Sequence, residues 1–432
     1  MARLTGSVMR SASSSVPEEM RVVVIGGSGA STPELADALV AWPDAGERRP
    51  PIDLVLQGRS AEKLELVASA CRARLGADVR TIGVVAEGDL DRALDGADVV
   101  LVQVRAGGYD ARAFDESFPR EFGFPGEETM GPGGFADAIR TVPVLAPIWD
   151  RIAAVAPDAL VVNLTNPSGI VTTAMRRAVP TRVISICDAP VTFIDGIAKA
   201  TGTAPEDVRS QYVGMNHAGF WVGPDFETMA AALPAASGID REDIERLGAL
   251  PLAYLRFYLH PDRQLAAQLG ATETRAQALK RLEAEMLDQY ASGVAVREQA
   301  RRGALWYAVS IVPLLDAFAH GGDATMILGL PNGGAVPWAP ADAIVERPAF
   351  LRQGGGLDSL PPVELTAPAA ELLARHAAYE TLAATALGGV RNRDDLVSWR
   401  DALVAALLEN PMVGRDGPAE AIVDTILARS PG

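Results

Sequence analysis

The stretch Arg21-Val22-Val23-Val24-Ile25, followed at once by Gly26-Gly27-Ser28-Gly29-Ala30-Ser31-Thr32, constrains this chain more than any other. A continuous β-branched run suits a strand buried on both faces, as in a parallel sheet. The glycines then turn the chain into a helix opened by Pro33-Glu34, proline being pre-shaped for the first helical turn. At such a turn, free N–H groups and the positive end of the helix dipole face an anion, typically a pyrophosphate. Gly26, Gly27, Ser28 and Gly29 are therefore candidate dinucleotide contacts. Thr32 stands where the third glycine of G-x-G-x-x-G falls, so the fingerprint is imperfect.

The pattern repeats. Ile52 to Leu56 reads as a second strand, but it ends at Gln57-Gly58-Arg59-Ser60 and not at the acid that ordinarily holds the ribose hydroxyls of NAD. Arg59 and Ser60 could instead face a 2′-phosphate, which leaves NADP open beside NAD. Further strands are expected over 79–85, 97–103, 159–163 and 182–187, with a short helix over 89–94 and longer helical lengths between the later strands. Strands separated by helices imply right-handed βαβ units and a doubly wound parallel sheet. The second half reads as mostly helical, with an amphipathic helix over 272–290 and a segment over 240–260 that sets Tyr254 and Tyr258 four residues apart on one helical face, ordinarily a core-packing arrangement. The expected organisation is a mobile tail over 1–19, a dinucleotide-binding α/β domain over 20–200, and a C-terminal α+β domain over 201–432 for substrate binding and oligomerisation.

Acidic residues outnumber basic ones 55 to 39, for a formal charge of -16, which argues against nucleic acid or an anionic membrane as the main partner. Cys71 and Cys187 are the two cysteines, too few for a disulfide framework, so a reducing, cytoplasmic setting is expected. No apolar run approaches the ~20 residues of a membrane span.

Ligands of open α/β sheets bind beyond the carboxyl ends of the strands, and those ends are polar here. The fourth strand leads into Arg105-Ala106-Gly107-Gly108-Tyr109 and then Gly126-Glu127-Glu128-Thr129, a long loop of the kind that usually carries function. Arg140, on the helix that follows, is expected at its surface. Asn163-Leu164-Thr165-Asn166-Pro167 ends the fifth strand, and Cys187-Asp188-Ala189-Pro190 ends the sixth. Residues 211–221 read as one strand with Asn216-His217 in its middle. Taken alone, a cysteine often merely packs and a lone strand histidine is usually a hydrogen-bonded core residue.

Together these segments resemble the NAD- and divalent-metal-dependent glycosidases of glycoside hydrolase family 4, over nearly the whole chain from Met20 onward. The ordered matches run from Val24-Ile25-Gly26-Gly27 through Asp115-Glu116, Gly126 to Thr129, Arg140-Thr141, Asn163 to Pro167 and Cys187 to Pro190, and end at Gly214-Met215-Asn216-His217. The resemblance implies a Rossmann-type domain with a C-terminal domain, similar overall to lactate and malate dehydrogenases. It also implies an oxidative elimination in place of the usual two-carboxylate hydrolysis. The nicotinamide would take hydride from C3 of the sugar, the C2 proton would leave, the leaving group would be eliminated, and water addition and re-reduction would follow. By that resemblance Cys187 and His217 would hold a divalent ion, most often Mn²⁺; Tyr254 would be the base and Asp188 the acid. Arg59, Arg105 and Asn163 would touch the cofactor, while Arg105, Glu128, Asn166, Asn216 and Arg302 would touch a glycoside substrate. Members are usually homodimers or homotetramers.

Two positions depart from the pattern. Pro331 stands where many phosphoglucosidases carry an arginine, and Glu127 replaces the glutamine of the usual GQET. A hexoside with an anionic C6 group, a phosphate or the sulfonate of a sulfoquinovoside, is the expected substrate, with a neutral hexoside as the weaker alternative. A plain NAD(P)-dependent 2-hydroxy-acid or sugar dehydrogenase shares the fold and is the competing activity. A cofactor-binding protein without turnover is the third reading.

Overall fold

The computed structural model describes residues 18–42, 50–76, 82–179, 182–223, 238–293, 305–390 and 393–431. Most of the expected N-terminal tail and the expected substrate contact Arg302 lie outside these residues. Six strands form the first half: β1 (Met20–Ile25), β2 (Ile52–Gln57), β3 (Ile82–Glu87), β4 (Val99–Val102), β5 (Leu160–Asn163) and β6 (Val183–Ser185). They pair in parallel in the order β3-β2-β1-β4-β5-β6. This is the doubly wound order whose reversal between β1 and β4 opens a dinucleotide crevice. Both faces of the sheet are covered, which is why β1 reads as an unbroken apolar run. Val23 and Ile25 pack into one core with Phe135, Trp149 and Tyr379, while Val22 and Val24 pack into another with Leu35, Leu64 and Leu314.

The sheet does not stop at the expected domain boundary. Strand β10 (Met326–Pro331) adds antiparallel to β6 through Gly329 and Ser185, where a Cβ on Gly329 would collide with the Ser185 hydroxyl. Beyond it lie β11 (Ile344–Arg352), β7 (Tyr212–Met215), β8 (Ala218–Trp221) and the short β9 (Leu250–Pro251), while β12 (Gly356–Ser359) pairs with β11. The two halves thus share one sheet of 12 strands.

Three expectations are corrected. Residues 211–221 are not one strand but a hairpin, with Met215 opposite Ala218 and Asn216-His217 as its two-residue turn. The turn is possible without glycine because His217 adopts φ 61°, the only non-glycine positive φ among the described residues. The segment 240–260 is broken by Gly248 at φ 59° and by Pro251, so that Tyr254 sits in a 3₁₀ turn over Ala253–Leu255. Arg140 is not at the surface of its helix (Gly131–Val155): it is 8% exposed, and its guanidinium bonds Asp115, Asp137 and the Ala106 carbonyl. It is the counter-charge that allows two buried carboxylates, both pushed up by burial, to sit side by side.

Candidate active site

The carboxyl ends of β1, β4, β5 and β6 open into a cavity of about 790 Å³. At one end is the glycine turn. Gly26 has φ 85°, and a Cβ there would meet the Gln103 carbonyl oxygen at 2.7 Å, so only glycine fits. Gly26 and Gly27 donate to the Gln57 carbonyl at 3.1 and 2.8 Å, tying the turn to the tip of β2. Gly26, Ser28, Gly29 and Arg59 line the cavity. Gly27 does not; a Cβ there would press on Leu56, so its part is close packing between turn and strand. The N–H groups of Ser28 and Ala30 have no partner among the described residues, leaving donors for an anion.

At the other end, Cys187, Asp188, His217, Tyr254 and Asn166 share the cavity wall. Cys187 caps the helix Asp188–Thr201, its sulfur accepting from Ala189 N at 3.5 Å. Burial raises its thiol well above the ordinary range, and the nearby Glu346 and Asp188 carboxylates add to the rise. Burial also raises Asp188. It lowers His217 to about 4, so the ring is neutral at physiological pH, and His217 Nδ1 is buried with no partner among the described residues. A neutral imidazole with a free nitrogen and a thiol on the same cavity wall are ligand types that suit a borderline divalent ion, and a cation there would draw the thiol toward thiolate. Tyr254 stacks on His217, ring centroids 3.9 Å apart. Burial, then the charges of Glu127, Cys187, Glu128 and Asp188, push its phenol well up.

Between the two ends runs a charged network. Glu128 accepts from Arg105 at 2.6 Å and from Arg112 at 2.8 Å, and these two cations overcome burial to hold its carboxyl at about 2. Its neighbour Glu127 is pushed by burial, and then by Glu128, up to about 7, while its carboxylate accepts from the Thr129 and Met130 N–H groups at 2.7 Å.

Besides Gly27, two further expected contacts do not line the cavity. Asn163 is fully buried: its amide donates to Thr165 O and Thr172 Oγ1, and its oxygen accepts from Thr165 N. Its role is to fold the loop that carries Asn166. Asn216 is also buried, donating to Glu346 at 3.4 Å, so it stands behind the wall rather than in it. Glu346 itself, which also accepts from Tyr212 OH at 3.0 Å, was not singled out from the sequence, although a carboxylate inside the apolar run of β11 is a visible signal.

Arg275 was likewise missed. It opens the helix Arg275–Ser292, lines the cavity, is exposed and has no partner among the described residues. An arginine at the positive end of a helix is unfavourable without a function to hold it there.

A two-ended cavity of this kind on a doubly wound sheet defines a dinucleotide-dependent enzyme of small substrates. Comparison with known proteins makes the class definite. Residues 21–203 match the model of the family 4 glycosyl hydrolases, and residues 212–411 match that family's C-terminal domain. The chain belongs to this family and is a glycosidase. It is 28% identical to a probable 6-phospho-beta-glucosidase of Bacillus subtilis, over 94% of this chain and 96% of the relative. It is 29% identical to a maltose-6'-phosphate glucosidase of the same organism, over 77% and 80%. The 6-phospho-beta glucosidase of Thermotoga maritima, solved with manganese, NAD+ and glucose-6-phosphate, superposes with a TM-score of 0.80 at 25% identity, over 95% of this chain and 98% of that one.

Proposed function

We propose that this chain cleaves a hexoside carrying an anionic C6 group, a 6-phosphoglucoside first, by reversible oxidation and elimination at a site built from Cys187, Asp188, His217 and Tyr254. The observation that carries the reading is that all four line one cavity whose other end is the glycine turn. A nicotinamide dinucleotide bound at that turn supplies reversible hydride acceptance at C3, and a divalent ion held by Cys187 and His217 supplies Lewis-acid polarisation of the oxygen there. Tyr254, stacked on His217, would take the C2 proton. Asp188, kept protonated more readily by burial, is suited to give a proton to the leaving oxygen. Asn166 offers an amide to the sugar hydroxyls. Arg275 and Arg105 bring positive charge to the cavity for the C6 anion. The relatives include enzymes named for both anomers.

No helix among the described residues is long and apolar enough to cross a membrane. A reduced cysteine and a dinucleotide cofactor fit the cytoplasm, where we infer a homodimer or homotetramer.

The test is a panel of aryl glucosides, 6-phosphorylated, 6-sulfonated and neutral, assayed with dinucleotide and Mn²⁺ in deuterated water. Cleavage of an anionic substrate with deuterium at C2, abolished by chelation, is expected. Cleavage that persists after chelation or leaves C2 unlabelled overturns the reading. Reduced cofactor accumulating without cleavage would favour the dehydrogenase.

A further inference from the structure

The tip of β2 carries an observation that the family reading does not use. We propose that this crevice prefers a dinucleotide bearing a 2′-phosphate over NAD, with Arg59 as the charged partner of that phosphate. The inference rests on the dinucleotide reading of the glycine turn.

The tip is fixed to the turn. The Gln57 carbonyl holds Gly26 and Gly27, and Gly58 packs so closely on Ser28 that a Cβ at 58 would lie 3.1 Å from its hydroxyl. Residues 57–59 therefore border the place where the adenine-side ribose of a dinucleotide lies in a doubly wound sheet. Selectivity for NAD there requires a carboxylate to accept from the 2′- and 3′-hydroxyls, and such a carboxylate repels a 2′-phosphate. None is available. Gln57 is an amide, and its Nε2 is turned toward the Gly88 carbonyl. Glu87, at the end of β3, is bonded by Asp89 N and Arg92. Glu283, which reaches this end of the cavity, is held by Lys63 at 3.1 Å.

Arg59 lines the cavity, is exposed, and has no partner among the described residues. In a chain with 55 acidic and 39 basic residues, an arginine left unpaired beside a phosphate-binding turn is a cation set where an anion binds. Its planar fork matches two phosphate oxygens at once. Ser60 follows, its oxygen accepting from Lys63 N at 3.3 Å while its own proton remains for donation.

The experiment is equilibrium binding of NADP+ and NAD+ to the full chain by calorimetry, for the natural protein, Arg59→Ala and Arg59→Lys. NADP+ is expected to bind at least about tenfold more tightly than NAD+, and more salt should weaken NADP+ selectively. Arg59→Ala should erase the difference while leaving NAD+ within about twofold, and Arg59→Lys should restore part of it. Because Arg59 is exposed, retained NAD+ binding doubles as the check that the variant is folded. NAD+ binding as tight as NADP+ in the natural protein overturns the proposal. So does an equal loss of both in Arg59→Ala, which would mean that the arginine only stacks on the adenine. Failure to bind either dinucleotide is a different result, and it removes the crevice reading itself.

Discussion

The imidazole of His217 lies flat on the phenol ring of Tyr254, centroids 3.9 Å apart and planes 9° from parallel. The pair joins two elements that are 37 residues apart in sequence, the β7–β8 hairpin turn and the 3₁₀ turn after β9. His217 reaches it only through a left-handed backbone conformation that costs about 1–3 kcal/mol in a residue other than glycine. Such strain persists where the surroundings over-determine it, and here the ring is buried and stacked.

Tyr254→Phe keeps the stack and removes only the hydroxyl. We expect kcat/KM to fall by about 10²–10⁴, the range of a lost general base, and solvent deuterium to stop entering C2. Dinucleotide affinity should not change. Full C2 exchange in the variant would assign the base elsewhere.

Arg275→Ala tests the anion at C6. The side chain has no structural partner among the described residues to lose, so the melting temperature should hold. KM for a 6-phosphoglucoside should rise by about ten- to a hundredfold, as expected for a lost charge-assisted contact, with kcat little changed and any activity on neutral glucosides unaffected. Equal effects on charged and neutral substrates would show that Arg275 does not meet the C6 group.

Glu346→Gln loosens the support behind Cys187. Glu346 accepts from Asn216 and Tyr212, and its carboxylate lies near enough to Cys187 to push the thiol up. Partners behind a metal ligand are commonly worth about ten- to a hundredfold in affinity, so Mn²⁺ binding by calorimetry should weaken by that order. Unchanged Mn²⁺ affinity would confine Glu346 to packing.

These residues differ in how legible they are in the sequence, and the difference is physical. β1 and its turn are local: a β-branched run, glycines and a proline decide the structure within a few residues. Cys187 and Asp188 are legible because the end of a parallel strand is where ligands bind. The hairpin at Asn216-His217 is not, since neither residue is the glycine or proline that marks a turn, and what stabilises it is the distant ring of Tyr254. Arg140 reads as a surface residue until the fold brings Asp115 to it from 25 positions away. Glu346 shows locally only as a carboxylate in an apolar run, and it and Arg275 meet their surroundings only through strand pairing and helix docking.

Glu127 replaces the family's usual glutamine, and restoring it has a pH-dependent consequence. Its carboxyl, ordinarily near 4.5, is pushed by burial and by Glu128 up to about 7. Between about pH 4.5 and 7 the folded protein therefore holds a proton that the unfolded chain has lost, so stability declines as pH rises through that window and stays lower above it. Glu127→Gln keeps an oxygen to accept from Thr129 N and Met130 N but has no charge to form. The variant should match the natural protein near about pH 4 and exceed it above about pH 8 by at most about 3 kcal/mol, less where water reaches the half-buried side chain. Urea midpoints at the two pH values measure this directly. A gain that is the same at both would mean that the carboxylate's charge is not what burial opposes, and a loss at high pH would mean that a cation pairs with it.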